Sequence, residues 1–314
     1  KFPKDLIIER PEDMIPHKMV DVNGEMKPDI SNHFLDRKPS SIRSAQISFQ
    51  DRSDKNSVVA INLAIGNVSL PMHPAMVKRL KNLNVSPFSD GILRYTSSSG
   101  NEETVKAFLN IISYEGVDTS NLNCLITDGG SQAMEIMMLG VCGTSEKKPI
   151  VLLDPAYTNY LEFSKRLTIP VVSIPRTINE KGNFDSLNLD AIESLIISEK
   201  PNGLIVIPYD NPTGQFIDQG ILIDLARICV KNKIWIISDE AYRQLYFNRN
   251  SSSSIWKISE KDVPNISGFR ISIESASKTW NACGLRIGAL VTDNKTFYNK
   301  SVYEYTANLC ANAL

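Results

Sequence analysis

From "VVAINLAIGN" (58–67) onward, short apolar runs alternate with amphipathic stretches, and this alternation constrains the fold more than any other feature of the sequence. The apolar runs predict strands at 123–127, 149–154, 169–175, 203–208, 233–240 and 269–275. The stretches between them predict helices at 131–142, 160–167, 189–198 and 219–232. Runs such as "GLIVIP" are apolar at every position, which is typical of strands buried on both faces of a parallel sheet. The sequence therefore predicts an α/β protein with three layers, helix–sheet–helix, around a mostly parallel sheet.

Composition and charge exclude several classes of function. The 314 residues carry a net charge of −1, so no overall field attracts the chain to nucleic acid or anionic lipid. No run reaches the roughly 18 apolar residues of a membrane span. The five cysteines are far apart and form no CxxC pair, which argues against a disulfide framework and a zinc site. We therefore expect a cytoplasmic protein without a metal.

Histidine is scarce, since only His17, His33 and His73 occur and all lie in the first quarter of the chain. Serine hydrolases and metallohydrolases usually draw a base or ligands from histidine, so these classes are disfavoured. If the chain is an enzyme, another group must move protons.

Ligands of open parallel sheets bind beyond the carboxyl ends of the strands, so the residues after each apolar run are the most informative. "DGGSQ" follows the first run and places Gly130, Ser131 and Gln132 where a helix begins. The free amides and dipole of a helix start suit a phosphate, although a tight strand–helix turn would have the same sequence. Tyr157 follows the second run and Asn211 the fourth. The Asn211 amide could meet a phenolic oxygen or a carboxylate. Taken alone, however, Tyr157 is better explained as a packing residue and Asn211 as part of an Asn-Pro-Thr-Gly turn.

The last two runs are followed by charged residues. Asp239 and, three positions later, Tyr242 lie in "SDEAY". A carboxylate at the end of so apolar a strand implies a partner cation. "SASKTWNACGLRIG" contains Lys278, a candidate nucleophile, and Arg286 eight positions further on. Together, a phosphate cradle, an aromatic ring, an acid, a phenol, an amide and a lysine suit pyridoxal 5'-phosphate.

With these motifs, the chain resembles the class I/II aminotransferases, the fold-type I pyridoxal-phosphate enzymes, in which similar motifs follow one another in the same order. The resemblance runs from about Ile61 to about Leu290. "SASKTWNACGLRIG" is similar to the family's lysine signature, and "YDNPTGQ" and "SDEAY" support the resemblance independently.

The resemblance implies a role for each residue. Lys278 forms a Schiff base with the cofactor, and Asp239 pairs with its pyridine nitrogen. Tyr242 and Asn211 contact its phenolic oxygen, and Tyr157 stacks on its ring. The residues implied to bind the phosphate are Gly130, Ser131, Gln132, Ser275, Ser277 and Arg286.

The resemblance also implies a homodimer. "RYTSSSGNEE" is similar to the segment that lends a tyrosine, here Tyr95, to the phosphate of the neighbouring subunit. "NLAIGN" is similar to the loop beneath the substrate carboxylate, which places Gly66 there.

The domain organisation follows from the same resemblance. We expect an N-terminal arm and part of a small domain at 1–65, a large cofactor-binding domain at 66–300, and the start of a connection to a small C-terminal domain at 301–314. Family members continue past the position of Leu314 with a segment that carries the arginine that grips the substrate α-carboxylate. We expect that this region is missing here, which leaves the small domain partial.

The implied activity is transfer of an amino group from an amino acid to a 2-oxo acid by a ping-pong mechanism. A lyase or synthase of the same fold, and a module that binds the cofactor without turnover, remain alternatives. The motifs concern the cofactor, so they leave the substrate open.

Overall fold

The computed structural model describes residues 28, 30–61, 66, 68, 70–83, 90–92, 94–146, 148–245 and 252–312. Its strands are β1 (Asn123–Asp128), β2 (Ile150–Asp154), β3 (Val171–Pro175), β4 (Gly203–Val206), β5 (Trp235–Asp239), β6 (Arg270–Ser275) and β7 (Ile287–Thr292). Its helices are α1 (Asn32–Leu35), α2 (Ser41–Gln50), α3 (Pro74–Lys81), α4 (Glu102–Ser113), α5 (Gly130–Cys142), α6 (Thr158–Leu167), α7 (Leu189–Glu199), α8 (Gln219–Lys231) and α9 (Lys295–Tyr305). Residues 1–27 of the expected N-terminal arm, and all of "NLAIGN" except Gly66, lie outside the described residues. Within these ranges, every helix is too short or too polar to cross a membrane.

The strands form one sheet in the order β1-β7-β6-β5-β4-β2-β3. β7 is antiparallel to both of its neighbours, and the other pairs are parallel. Apart from β7, all strands therefore end at the same edge of the sheet. The predicted mostly parallel sheet is confirmed, and the antiparallel β7 is an element that the sequence pattern did not indicate.

The sheet is buried between helices. All four residues of β4 are buried, as are Ile236–Asp239 of β5. α5 packs against β1, β6 and β7 and contacts α6 and α9, whereas α8 packs against β5 and contacts α7. The continuous apolar runs thus bury both faces of their strands, as the pattern predicted.

One close approach of backbone positions the start of α5. A Cβ atom on Gly288 of β7 would lie 2.4 Å from the carbonyl carbon of Gly129 and 2.5 Å from the amide nitrogen of Gly130. Gly129 itself has a φ of 79°, which side chains other than glycine rarely adopt. The β1–α5 turn therefore lies directly against β7, and the first amides of α5 lie at the edge where the parallel strands end.

Candidate active site

A cavity of about 160 Å³ lies at the carboxyl ends of the strands and collects most of the residues that the sequence singled out. Its lining consists of Gly130, Ser131, Met134, Tyr157, Ile207, Asn211, Asp239, Ala241, Tyr242, Ser275, Ser277, Lys278, Cys283 and Arg286. A larger open cleft of about 910 Å³ between α3 and the Thr279–Asn281 turn lacks a comparable convergence of acid, phenol, amide and amine. The smaller cavity is therefore the candidate site.

One side of the cavity is suited to a dianion. The N-terminal end of α5 has no side-chain cap at Gly129, so its first amides keep free donor capacity. The Arg286 guanidinium lies directly against this turn. A Cβ atom added to Gly129 would lie only 2.4 Å from Arg286 Nη2. Ser275 and Ser277 complete this side, and the Ser277 amide donates to Ser275 Oγ at 3.1 Å. Amides at a helix start, hydroxyls and a guanidinium are the donors that bind phosphate.

Asp239 ends β5 and is 3% exposed. Its Oδ2 accepts from Tyr160 Oη at 2.8 Å, and its Oδ1 accepts from the Ala241 amide at 3.1 Å. Burial raises the pKa of Asp239 to about 6, although these two hydrogen bonds act in the opposite direction. The sequence implied a partner cation, but both hydrogen-bond partners in the described part of the chain are neutral. A buried acid of this kind fits a protonated ring nitrogen as its counter-ion.

Asn211 and Tyr242 form a pair on the cavity wall. Asn211 Nδ2 donates to Tyr242 Oη at 3.0 Å. Burial, with the nearby Asp239 charge, raises the pKa of Tyr242 to about 12, so its phenol stays protonated at neutral pH. An amide and a phenol that meet at one point can both donate to a single oxyanion.

Lys278 brings an amine into the same cavity. It follows β6 by three residues, and its Nζ donates to the carbonyl oxygen of Gly66 at 2.6 Å. Tyr157 also lines the cavity and lies just before α6 in the chain. Its ring packs edge-on against the ring of Tyr160, with centroids 6.1 Å apart. The cavity thus offers an amine, an aromatic ring, an acid and an oxyanion-binding pair beside a dianion site.

Three predicted site residues do not line the cavity: Gln132, Tyr95 and Gly66, although the Gly66 carbonyl accepts from Lys278 Nζ. Gln132 is absent from the cavity lining, and its Oε1 accepts from the Asp128 amide at 2.7 Å. This hydrogen bond stabilises the β1–α5 turn. Tyr95 is 80% exposed and also lies outside the lining.

The structure adds a residue that sequence reasoning missed. Tyr160 is 1% exposed and is the side-chain donor to Asp239. Its position in the apolar stripe of α6 is that of an ordinary core residue, so only its hydroxyl indicated a polar partner. Met134, Ile207, Ala241 and Cys283, which also line the cavity, carried no distinguishing signal.

Comparison with known proteins agrees with this geometry. The family model of class I and II aminotransferases matches residues 58–310. The chain belongs to the class I and II aminotransferase family. Membership in this family implies pyridoxal phosphate as the cofactor, and the amine, acid and dianion site of the cavity fit that molecule.

Individual members of the aminotransferase family are distant relatives. An aspartate aminotransferase from Sulfolobus acidocaldarius is 23% identical over 256 residues, which are 81% of this chain and 60% of the relative. The chain thus spans about 60% of that relative's length. N-succinyldiaminopimelate aminotransferase from Mycobacterium tuberculosis superposes with a TM-score of 0.74 at 19% identity, over 91% of this chain and 69% of that structure.

A PLP-bound aminotransferase-like structure from Clostridium difficile 630 superposes with a TM-score of 0.65 at 19% identity, over 78% of this chain and 59% of that one. These structures confirm the expected fold-type I, three-layer α/β/α architecture.

Proposed function

We propose that this protein is a pyridoxal-phosphate-dependent aminotransferase that moves an amino group from an amino acid to a 2-oxo acid by a ping-pong mechanism. One observation carries the proposal. The Lys278 amine, the buried Asp239 carboxyl and the Asn211–Tyr242 pair converge on one cavity beside the N-terminal end of α5. Family membership and the named aminotransferases among its relatives support the same activity.

Each group of cavity residues would contact a different part of the cofactor. Lys278 would hold it covalently through Nζ, and Asp239 would face its pyridine nitrogen. Asn211 and Tyr242 would donate to its phenolic oxygen, and Tyr157 would lie on its ring. The residues proposed for its phosphate are Gly130, Ser131, Ser275, Ser277, Arg286 and, through the turn that it stabilises, Gln132. When bound, pyridoxal phosphate supplies an electron sink for a carbanion at the substrate Cα.

Lys278 is also the proposed proton carrier. Once its Nζ is free, this amine could take the proton from the substrate Cα and deliver it to the cofactor carbon, as amino-group transfer requires. His33 and His73, the two histidines in the described ranges, do not line the cavity. A lysine base therefore replaces the histidine that many other enzymes use.

The proposal extends to assembly and location. We expect a cytoplasmic homodimer in which Tyr95 of the partner subunit reaches the phosphate. Its exposure, and its absence from the cavity lining of its own chain, support that role. We retain the proposed division into 1–65, 66–300 and 301–314. Gly66, whose carbonyl already accepts from Lys278, would lie beneath the substrate carboxylate.

A two-step spectral experiment tests the activity. The 314-residue chain is loaded with pyridoxal 5'-phosphate, and the absorption spectrum is followed as an amino acid and then a 2-oxo acid are added. An aminotransferase should change its spectrum with the amino acid and recover the starting spectrum with the 2-oxo acid, whereas Lys278→Ala should do neither. A spectrum that recovers without any 2-oxo acid would indicate a lyase or synthase. Bound cofactor that never responds to amino acids would indicate a binding module.

A further inference from the structure

A cluster of buried charges lies behind the candidate site and lines no part of its cavity. We name it the Arg243 cluster: Arg243, Glu115, Glu240 and Glu274. Arg243 Nε and Nη2 donate to the two carboxylate oxygens of Glu274 at 3.1 and 2.7 Å. Its Nη1 donates to Glu115 Oε2 at 2.5 Å, and its Nη2 lies 3.6 Å from Glu240 Oε2. Each of these four side chains is no more than 4% exposed.

The cluster is tied to the site by sequence adjacency. Residues of the cluster, or residues bound to it, lie directly next to site residues in the sequence. The adjacent pairs are Asp239 with Glu240, Tyr242 with Arg243, Glu274 with Ser275, and Lys278 with Thr279. In the last pair, Thr279 Oγ1 donates to the backbone carbonyl of Arg243 at 2.9 Å. One group of side chains therefore faces the cavity and its direct neighbours face the cluster.

A buried cluster of this composition is poorly explained by stability alone. It contains three carboxyls and only one guanidinium. Lys257 lies at its margin, with Nζ 3.7 Å from Glu115 Oε1. Burial raises the pKa of Glu240 to about 7, so the positive charge of Arg243 does not fully offset the cost of burying that carboxylate. Replacing buried ion pairs by apolar residues is often neutral or stabilising, so fixed geometry is the better explanation.

We propose that Arg243 is a positioning residue that holds the ends of β5 and β6 in the register at which Asp239, Tyr242, Ser275 and Lys278 meet one cofactor. The proposal rests on the proposed function of the cavity. Arg243 lies in the turn that follows β5, and its planar guanidinium binds Glu274 of β6 and Glu115, which follows α4. The backbone carbonyl of Arg243 also anchors the turn that carries Lys278. A lysine would keep the charge but could not hold two carboxylates in this geometry.

The chain offers a matched control at the opposite end of β6. Arg270 also binds a buried carboxylate through Nε and Nη2, which donate to Asp293 Oδ2 at 2.8 and 2.6 Å. Its backbone carbonyl likewise accepts from a threonine, Thr292 Oγ1, at 2.8 Å. Arg270 begins the strand that ends at Ser275, so it lies distant from the cavity. Both pairs of arginine and threonine are thus structurally alike, but only one adjoins the site.

The experiment compares Arg243→Lys with Arg270→Lys in the full 314-residue chain. The dissociation constant for pyridoxal 5'-phosphate, the pH midpoint of the bound cofactor's absorption band and the melting temperature are measured for each. We expect both variants to melt at lower temperature. Arg243→Lys should also weaken cofactor binding by roughly tenfold or more and shift the midpoint, since a displacement of about 1 Å is costly in a preorganised site. Arg270→Lys should leave both cofactor readouts within about twofold of wild type.

Thr279→Val and Thr292→Val provide a second matched pair if Arg243→Lys fails to fold. Each substitution keeps the side-chain shape and removes one hydrogen bond to an arginine carbonyl. We expect Thr279→Val to weaken cofactor binding by about threefold or more and Thr292→Val to leave it unchanged. Equal cofactor affinities within each pair would overturn the positioning role while leaving the proposed function intact. Failure of the wild-type chain to bind the cofactor would overturn the proposed function and, with it, this inference.

Discussion

Asp239 shows how a functional residue can oppose folding. Its carboxyl is buried, both of its hydrogen-bond partners among the described residues are neutral, and burial raises its pKa from 3.8 to about 6. Because the folded pKa exceeds the unfolded one, the folded state binds more protons between these values. The contribution of Asp239 to stability is therefore greatest below about pH 3.8 and is lost as the pH rises to about 6.

Asp239→Asn should therefore stabilise the cofactor-free protein at high pH. The amide stays neutral at every pH, and Tyr160 Oη can accept from it as readily as it donates to the acid. The gain in unfolding free energy over wild type should be small at pH 4 and about 3 kcal/mol at pH 8, since one pKa unit is about 1.4 kcal/mol. Urea unfolding at both pH values measures this. A gain that is the same at pH 4 and pH 8 would contradict the account of Asp239.

A second substitution at Asp239, to alanine, tests its role in catalysis. Asp239→Ala should lower turnover far more than Tyr157→Phe, because the first removes the charge at the ring nitrogen and the second keeps a ring that can stack. Steady-state kinetics with one amino donor and one 2-oxo acid compare the two variants. Equal and modest losses would show that the charge of Asp239 is unimportant.

At the residue scale, the strand-end rule predicted most of the cavity lining. Lys278, Asp239, Asn211 and Tyr157 could be predicted because each follows an apolar run and parallel strands bring such positions together. The neutral partner of Asp239 could not be predicted, because Tyr160 has the helical spacing of a core residue.

At the element scale, the contact between β7 and the β1–α5 turn is the feature that most directly shapes the phosphate side of the cavity. A methyl group on Gly288 would overlap the backbone of Gly129 and Gly130, at 2.4 and 2.5 Å. Backbone cannot be repacked as a flexible side chain can, so either the strand or the helix start must move.

Gly288→Ala should therefore lower the unfolding free energy by about 1–3 kcal/mol and weaken phosphate-dependent cofactor binding. Gly284→Ala is the matched control four residues earlier, because a Cβ atom there would have no neighbour within 4 Å. It should change stability by no more than about 0.5 kcal/mol. Chemical unfolding and titration with pyridoxal 5'-phosphate measure the two effects. Similar behaviour of the two alanine variants would argue against the close approach.

The strands and helices that could be predicted are those with a clear pattern of apolar residues. The predicted strand at 123–127 corresponds to β1, Asn123–Asp128, and the predicted helix at 219–232 to α8, Gln219–Lys231. The sequence pattern does not indicate β7, because Ile287–Thr292 begins inside the lysine signature and so overlaps a binding motif. Its antiparallel direction depends on pairing with β1 across the sequence, which no local pattern encodes.

At the scale of the whole molecule, the proposed dimer makes Tyr95 the most informative residue. Its phenol would donate to the partner subunit's phosphate, a charge-assisted bond of about 1.5–3 kcal/mol. Tyr95→Phe should therefore weaken cofactor retention about tenfold or more. Equilibrium dialysis measures this loss.

A mixed dimer tests whether the sites are shared. When a Lys278→Ala subunit pairs with a Tyr95→Phe subunit, shared sites put both defects in one site and leave the other intact. The hybrid should then recover up to half of the wild-type activity per dimer. If Tyr95 serves its own subunit, each site carries one defect and no intact site forms.

The central claim is that Lys278 holds pyridoxal phosphate in this cavity. Borohydride reduction after loading with pyridoxal 5'-phosphate, followed by mass analysis of the peptides, tests it most directly. We predict a yellow protein in which the reduced cofactor is found on the peptide that carries Lys278, with no label in Lys278→Ala. A reduced adduct on a different lysine, or no adduct in protein shown to hold the cofactor, would contradict the account.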